Sequence, residues 1–172
     1  MKRILSIDPG TRFTGFAVID INGDRLVHVM HGEIAISSKL ELPQKLLYLS
    51  DKLADILAKN TPDEVAVERV FLGKNADSAF KLGHARGVCL QEAARVGAGV
   101  FEYTPREVKK AVTGSGAASK EHVRLIALRL LGIASDGRLD ASDALAIGIC
   151  HARKRSQMSL QVVRLQPNRE RI

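Results

Sequence analysis

The sequence has no apolar run approaching the ~18 residues of a membrane span, so it predicts no transmembrane helix. Its opening, Met-Lys-Arg followed by a short strand and an acid, lacks the apolar centre of a signal peptide, and a cytoplasmic protein is expected. Cysteine is nearly absent. Cys89 and Cys150 stand singly among apolar neighbours, which suits reduced, buried thiols and gives no zinc-binding spacing. The five histidines, His28, His31, His84, His122 and His151, form no ligand pattern either. No G-x-G-x-x-G follows a strand, which argues against a doubly wound dinucleotide fold. There is no internal repeat.

What is present fits one soluble globular domain of 172 residues, with 45% hydrophobic and 26% charged residues. A net charge of +7 suggests a polyanionic partner, and its distribution says more than its sum. Residues 1–102 are balanced, with 13 basic and 13 acidic side chains. Residues 103–129 then carry six basic side chains (Arg106, Lys109, Lys110, Lys120, Arg124, Arg129) against two acidic. Residues 130–150 reverse the sign, with Asp136, Asp140 and Asp143 against Arg138, and residues 151–172 are basic again. A basic block thus precedes an acidic knot. The first would grip nucleic acid; the second would repel it unless cations intervene.

Hydrophobic patterning predicts an α/β fold in the order βββαβαβααα. Arg3 to Asp8 is a nearly all-apolar strand, suited to burial on both faces, and Pro9-Gly10 ends it in a tight turn. Phe13–Asp20 and Leu26–Ile36 continue an antiparallel meander through Asn22-Gly23, which predicts a type I′ turn. Leu42–Asn60 has a helical stripe (Leu46, Leu49, Leu53, Ile56, Leu57), and Glu64–Glu68 is a short strand reached by a crossover, hence parallel to the first. Asp77–Val96 is a second helix, with Gly83 and Gly87 leaving room for close packing. Val100–Tyr103 is a fifth strand, Pro105–Val112 a basic helix, and Ser119 the cap of a helix reaching Leu131. The last helix is expected from Asp140 to about Lys154. The domain is therefore placed at residues 1–155, with 156–172 as a basic, mobile tail.

Two strands then end in acids, Asp8 and Glu68, at one sheet edge. Asp140 and Asp143, three apart, share a helix face. Each acid alone has a plain explanation, as a solvated strand end or a helix cap. Together, four carboxylates within reach of one another repel unless cations relieve them. Oxygen ligands without His or Cys favour Mg²⁺ or Mn²⁺ over zinc, and two such ions about 3.5–4 Å apart suit phosphodiester hydrolysis.

The stretches ILSIDPGTRFTGFAVID, VAVERVFLGKNADSAFKLGHARG, YTPREVKKAVTGSG with ASKEHV, and LDASDALAIGICH resemble the RuvC family of Holliday junction resolvases. They lie at residues 4–20, 65–87, 103–123 and 139–151, and the resemblance runs over essentially the whole chain. The resemblance implies a ribonuclease H-like fold, a five-stranded mixed sheet flanked by helices. It also implies paired nicking of like-polarity strands in a four-way DNA junction, leaving 5′-phosphate and 3′-hydroxyl ends. It assigns Asp8, Glu68, Asp140 and Asp143 to metal binding and cleavage, with two Mg²⁺ per site and Mn²⁺ as a substitute. It gives Phe71 a wedging or stacking role at the cut and places Lys109 and Lys120 on DNA. Lys74 and Asn75, on the same loop as Phe71, and Arg106, Lys110 and Arg124 extend that surface. A two-fold junction calls for a C2 homodimer, through the small-residue face of the Asp77–Val96 helix. The RuvAB branch-migration machine is the implied partner. Two rivals stay open: a YqgF-type nuclease on the same fold, and a junction-binding protein without catalysis. An actin-like ATPase, which the D-P-G-T-x-x-T-G run also suggests, needs two such domains.

Overall fold

A computed structural model describes residues 1–69, 76–134 and 142–165, with residues 156–165 as backbone only. Strands β1 (Lys2–Asp8), β2 (Phe13–Asn22) and β3 (Arg25–Ala35) form the antiparallel meander. Strand β4 (Glu64–Glu68) lies parallel beside β1, and β5 (Gly99–Tyr103) parallel beside β4. The sheet order is β3-β2-β1-β4-β5, so β1, whose residues Ile4 to Ile7 are fully buried, occupies the centre.

Successive β1 residues point to opposite faces, and each face meets its own helices. Leu5 and Ile7 pack with Val65 and Val67 against Leu49, Leu53 and Leu57 of α1 (Leu42–Asn60) and Ala85, Cys89 and Ala93 of α2 (Ala76–Arg95). The three α1 leucines are essentially fully buried, and each contributes about 1.5–3 kcal/mol relative to exposure. Ile4, Ile19 and Ala66 face the other layer: α3 (Pro105–Thr113), α4 (Lys120–Leu131) and α5 (Ser142–Leu165). Both cysteines are free and buried. Among the described residues no helix is long and apolar enough to cross a membrane.

Helix α5 lies hard against the sheet centre. Ser6 is fully buried in β1, and its hydroxyl donates to the Ala144 carbonyl at 2.7 Å. A Cβ on Gly148 would fall 2.7 Å from Ile19 Cδ1 and 2.9 Å from Ser6 Oγ, so only glycine permits this approach. The first turn of α5, with Asp143, is thereby brought to β1.

The far side of α5 is pinned at the opposite end of the sheet. Tyr103 hydroxyl and His151 Nδ1 are 2.7 Å apart, and His151 Nε2 lies 2.9 Å from Glu64 Oε2. Arg155 Nε reaches the same carboxylate at 2.9 Å. Lys154 binds Glu107 at 2.5 Å, and Arg153 donates to the Ala111 carbonyl that closes α3. Three basic residues of the C-terminal excess are thus engaged inside the fold.

Two expectations are corrected. Asn22 pairs with Arg25, so the hairpin turn consists of Gly23 and Asp24, and only Gly23 has positive φ (59°). A type I′ turn needs positive φ at both central residues; glycine at the first alone fits type II′. The last helix also continues past Lys154 to Leu165. Its later residues lack an apolar stripe, yet no glycine or proline interrupts the sequence between Gly148 and Pro167.

Candidate active site

The parallel register sets the first two acids. Ile7 lies opposite Val67, so the next residues, Asp8 and Glu68, finish together at the C-terminal edge of β1 and β4. Gly10 begins the turn away from this edge. A Cβ there would lie within 2 Å of the Phe13 carbonyl oxygen (1.9 Å), so the tight reversal requires glycine. Asp143, in the first turn of α5, faces Lys120, the first residue of α4: Nζ and Oδ2 are 2.5 Å apart. Ser119 caps α4 by accepting from the His122 N–H, which fixes the backbone that carries Lys120.

The electrostatics are those of an under-neutralised acid cluster. Burial pushes the Asp8 carboxyl up to about 6; the charge of Asp143 adds to this and that of Lys120 opposes it. Glu68 is pushed up to about 7 by burial, then by Asp8 and Asp143, again against Lys120. Lys120 in turn is raised by its hydrogen bond to Asp143 and by the charges of Asp143, Asp8 and Glu68. The nearby Cys89 thiol is pushed up to about 12 by burial and offers no thiolate. The donors are therefore hard carboxylate oxygens carrying more negative charge than Lys120 offsets, the chemistry of a site for a hard divalent cation. Among the described residues, no three His, Cys, Asp or Glu side chains converge to hold an ion by themselves. The fourth expected ligand, Asp140, lies outside the described residues.

The basic residues flank this edge. Arg106, Lys109 and Lys110 are on α3, where Val108 and Val112 are buried, Lys109 is half-buried, and Arg106 and Lys110 are exposed. Arg106 packs over the following loop: a Cβ on Gly116 would sit 2.8 Å from its Cγ. The charges of Lys120 and Lys109 both act on Glu121, and of these two lysines it is Lys120 that also acts on Asp8 and Glu68. Arg124 is half-buried on α4. Phe71, Lys74 and Asn75 lie outside the described residues. The face of α2 bearing Gly83 and Gly87 meets nothing within 4 Å at either glycine, and Phe80 on the same helix is 70% exposed.

Sequence reasoning missed the Tyr103–His151–Glu64–Arg155 network. The available signal was His151 itself, a polar residue between Cys150 and Ala152 at the end of an apolar run, which burial obliges to find partners.

The chain matches the family described as crossover junction endodeoxyribonuclease RuvC over residues 4–151. It is 47% identical to the crossover junction endodeoxyribonuclease RuvC of Bdellovibrio bacteriovorus over 149 residues, 87% of this chain and 89% of the relative. The fold superposes on Thermus thermophilus RuvC in complex with a Holliday junction substrate with a TM-score of 0.86 and 28% identity, covering 92% of this chain and 98% of that one. It also superposes on a yeast mitochondrial Holliday junction resolvase at a TM-score of 0.70 and 15% identity, covering 92% and 81%, a likeness of fold alone.

Proposed function

The chain belongs to the RuvC family of crossover junction endodeoxyribonucleases, and from that premise we propose that it resolves four-way DNA junctions by paired, symmetric phosphodiester hydrolysis. The observation that carries the reading is the pair Asp8 and Glu68, fixed on adjacent strands and held well above the ordinary carboxylate range by burial first and then by neighbouring carboxylates, Asp143 among them. A non-catalytic binder would gain nothing from such a cluster at its DNA face.

Asp8, Glu68 and Asp143, with Asp140, would hold two Mg²⁺, for which Mn²⁺ substitutes. Held there, such ions would supply an activated water and would offset charge on the phosphate and the leaving 3′ oxygen. The protein supplies rigidity and alignment. The apolar body of β1 holds Asp8 still, and the turn at Gly10 clears the backbone from the scissile phosphate. Lys109 and Lys120 contact phosphates, with Arg106, Lys110, Arg124, Lys74 and Asn75 extending the surface, and Phe71 wedges against a base near the cut. Water attacks phosphorus, the bond to the 3′ oxygen breaks, and the ends carry 5′-phosphate and 3′-hydroxyl groups. Two matched cuts require two sites, supplied by a C2 homodimer through the open glycine face of α2. The protein works in the cytoplasm with the RuvAB machine, its nuclease domain spanning residues 1–155 and its basic tail residues 156–172.

The test uses a synthetic four-way junction and a matched linear duplex, with Mg²⁺ or EDTA, for the wild-type protein and Asp8→Asn. Paired nicks on the junction alone are expected, lost in EDTA and reduced by at least about 10³-fold in Asp8→Asn, which still folds and binds the junction. Equal cutting of linear duplex would overturn the resolvase reading.

A further inference from the structure

Lys120, the first residue of α4, is largely exposed, yet its ammonium lies 2.5 Å from Asp143. Other cations near the core have acidic partners of their own: Lys154 with Glu107, Arg155 with Glu64, and Arg86 with Glu102. Lys120 is the basic side chain whose charge acts on both Asp8 and Glu68 as well as Asp143. We propose that Lys120 is a displaceable counter-ion: it occupies Asp143 in the metal-free protein, and uptake of a divalent cation by the acids expels its ammonium to a DNA phosphate.

The inference rests on the reading of these acids as metal ligands, and three observations shape it. The ammonium lies 2.5 Å from Asp143 Oδ2, so a divalent ion drawn to the same carboxylate meets a like charge at close range. The Lys120 side chain is 68% exposed, so the ion pair is weak and solvent reaches it. The backbone under Lys120 is fixed by the Ser119 cap, so exchange needs only rotation of a flexible four-carbon stem. A divalent charge shared among several carboxylates outcompetes a single exposed ammonium. Metal and junction binding are consequently coupled: metal uptake releases a cation at the place where the phosphate arrives, and reciprocally a phosphate that draws Lys120 away uncovers a metal ligand.

The experiment is a calorimetric titration of DNA-free protein with MnCl₂, on the wild type, Lys120→Met, Lys120→Arg and Asp8→Asn, each first shown to be folded by thermal melting. Lys120→Met should bind Mn²⁺ about fivefold tighter than the wild type, because its competitor is gone, and Lys120→Arg should restore the wild-type affinity. Unchanged or weaker binding by Lys120→Met overturns the counter-ion role. The underlying reading fails differently: wild-type protein that takes up no Mn²⁺, or Asp8→Asn that takes it up undiminished, overturns the metal site itself.

Discussion

Strand β4 reads Glu-Val-Ala-Val-Glu, and its two ends make opposite use of the same side chain. At Glu64, burial pushes the carboxyl up, but hydrogen bonds from Arg155 and His151 outweigh it and hold the group below its ordinary value. At Glu68, burial has the same sign, and the next contributions, from Asp8 and Asp143, push it further up to about 7. Glu64 has its cations built in. Among the described residues, Glu68 has a share of Lys120. A carboxylate neutralised from within the chain ties elements together, here α5 to the sheet. A carboxylate left under-neutralised at a strand end is a place for a cation that the chain does not provide.

The sharpest break of this comparison exchanges the two glutamates in turn for glutamine. Glu68→Gln should lower junction cleavage by about 10³-fold or more, because a ligand is lost, while leaving the protein folded. Glu64→Gln should do the reverse. It leaves His151 and Arg155 facing a neutral amide and should cost about 2–3 kcal/mol in chemical denaturation, the lower end for a partly exposed ion pair. Its cleavage, measured well below the unfolding transition, should stay within about threefold of the wild type. Similar losses of activity in both variants would mean that the two ends of β4 are not functionally distinct.

Smaller in size is the response to metal. If the folded acid cluster holds the ion as proposed, Mg²⁺ at about ten times its dissociation constant should stabilise the wild-type protein by about 1.4 kcal/mol. Glu64→Gln should show the same increment on a lower baseline, and Glu68→Gln little of it. A thermal shift that survives in Glu68→Gln would place the ion elsewhere.

How far the sequence carries this comparison depends on the range of the interactions. The sheet order follows from local patterns and short connections: a first strand with an apolar centre, a hairpin, and one crossover that returns β4 beside β1. That placement puts Asp8 and Glu68 at one edge, because the parallel register is set by the buried faces of Ile7 and Val67. The distinction between Glu64 and Glu68 was not legible. It depends on His151 and Arg155, 87 and 91 residues away, arriving over β4 on a helix whose position is set by Ser6 and Gly148. The basic C-terminal segment was similarly opaque, since composition counts Arg153, Lys154 and Arg155 as charge without showing that each already has a partner inside the fold. The hairpin type was missed for a local reason: Asn22-Gly23 suits the turn, but the pairing of Asn22 with Arg25 moves the turn forward by one residue.

The finest test is the pH dependence of the metal-free protein. Glu68 and Asp8 stand at about 7 and about 6, above their ordinary values of 4.5 and 3.8, so between these limits the folded state binds more protons than the unfolded one. Their contribution to stability therefore falls as pH rises through this window and is least favourable above about 7. Glu64, held below its ordinary value, contributes the opposite way, and its stabilisation is lost only as pH falls below about 4.5, outside the window. In EDTA, Glu68→Gln should be more stable than the wild type at pH 8, by about 1 kcal/mol at low salt. That advantage should shrink by pH 6, where the Glu68 carboxyl is protonated and resembles the amide. Every other side chain is common to both proteins, so the difference between the two denaturation curves isolates Glu68. An advantage equal at both pH values would show that the carboxyl is not held up, and with it would go the contrast between the two ends of β4.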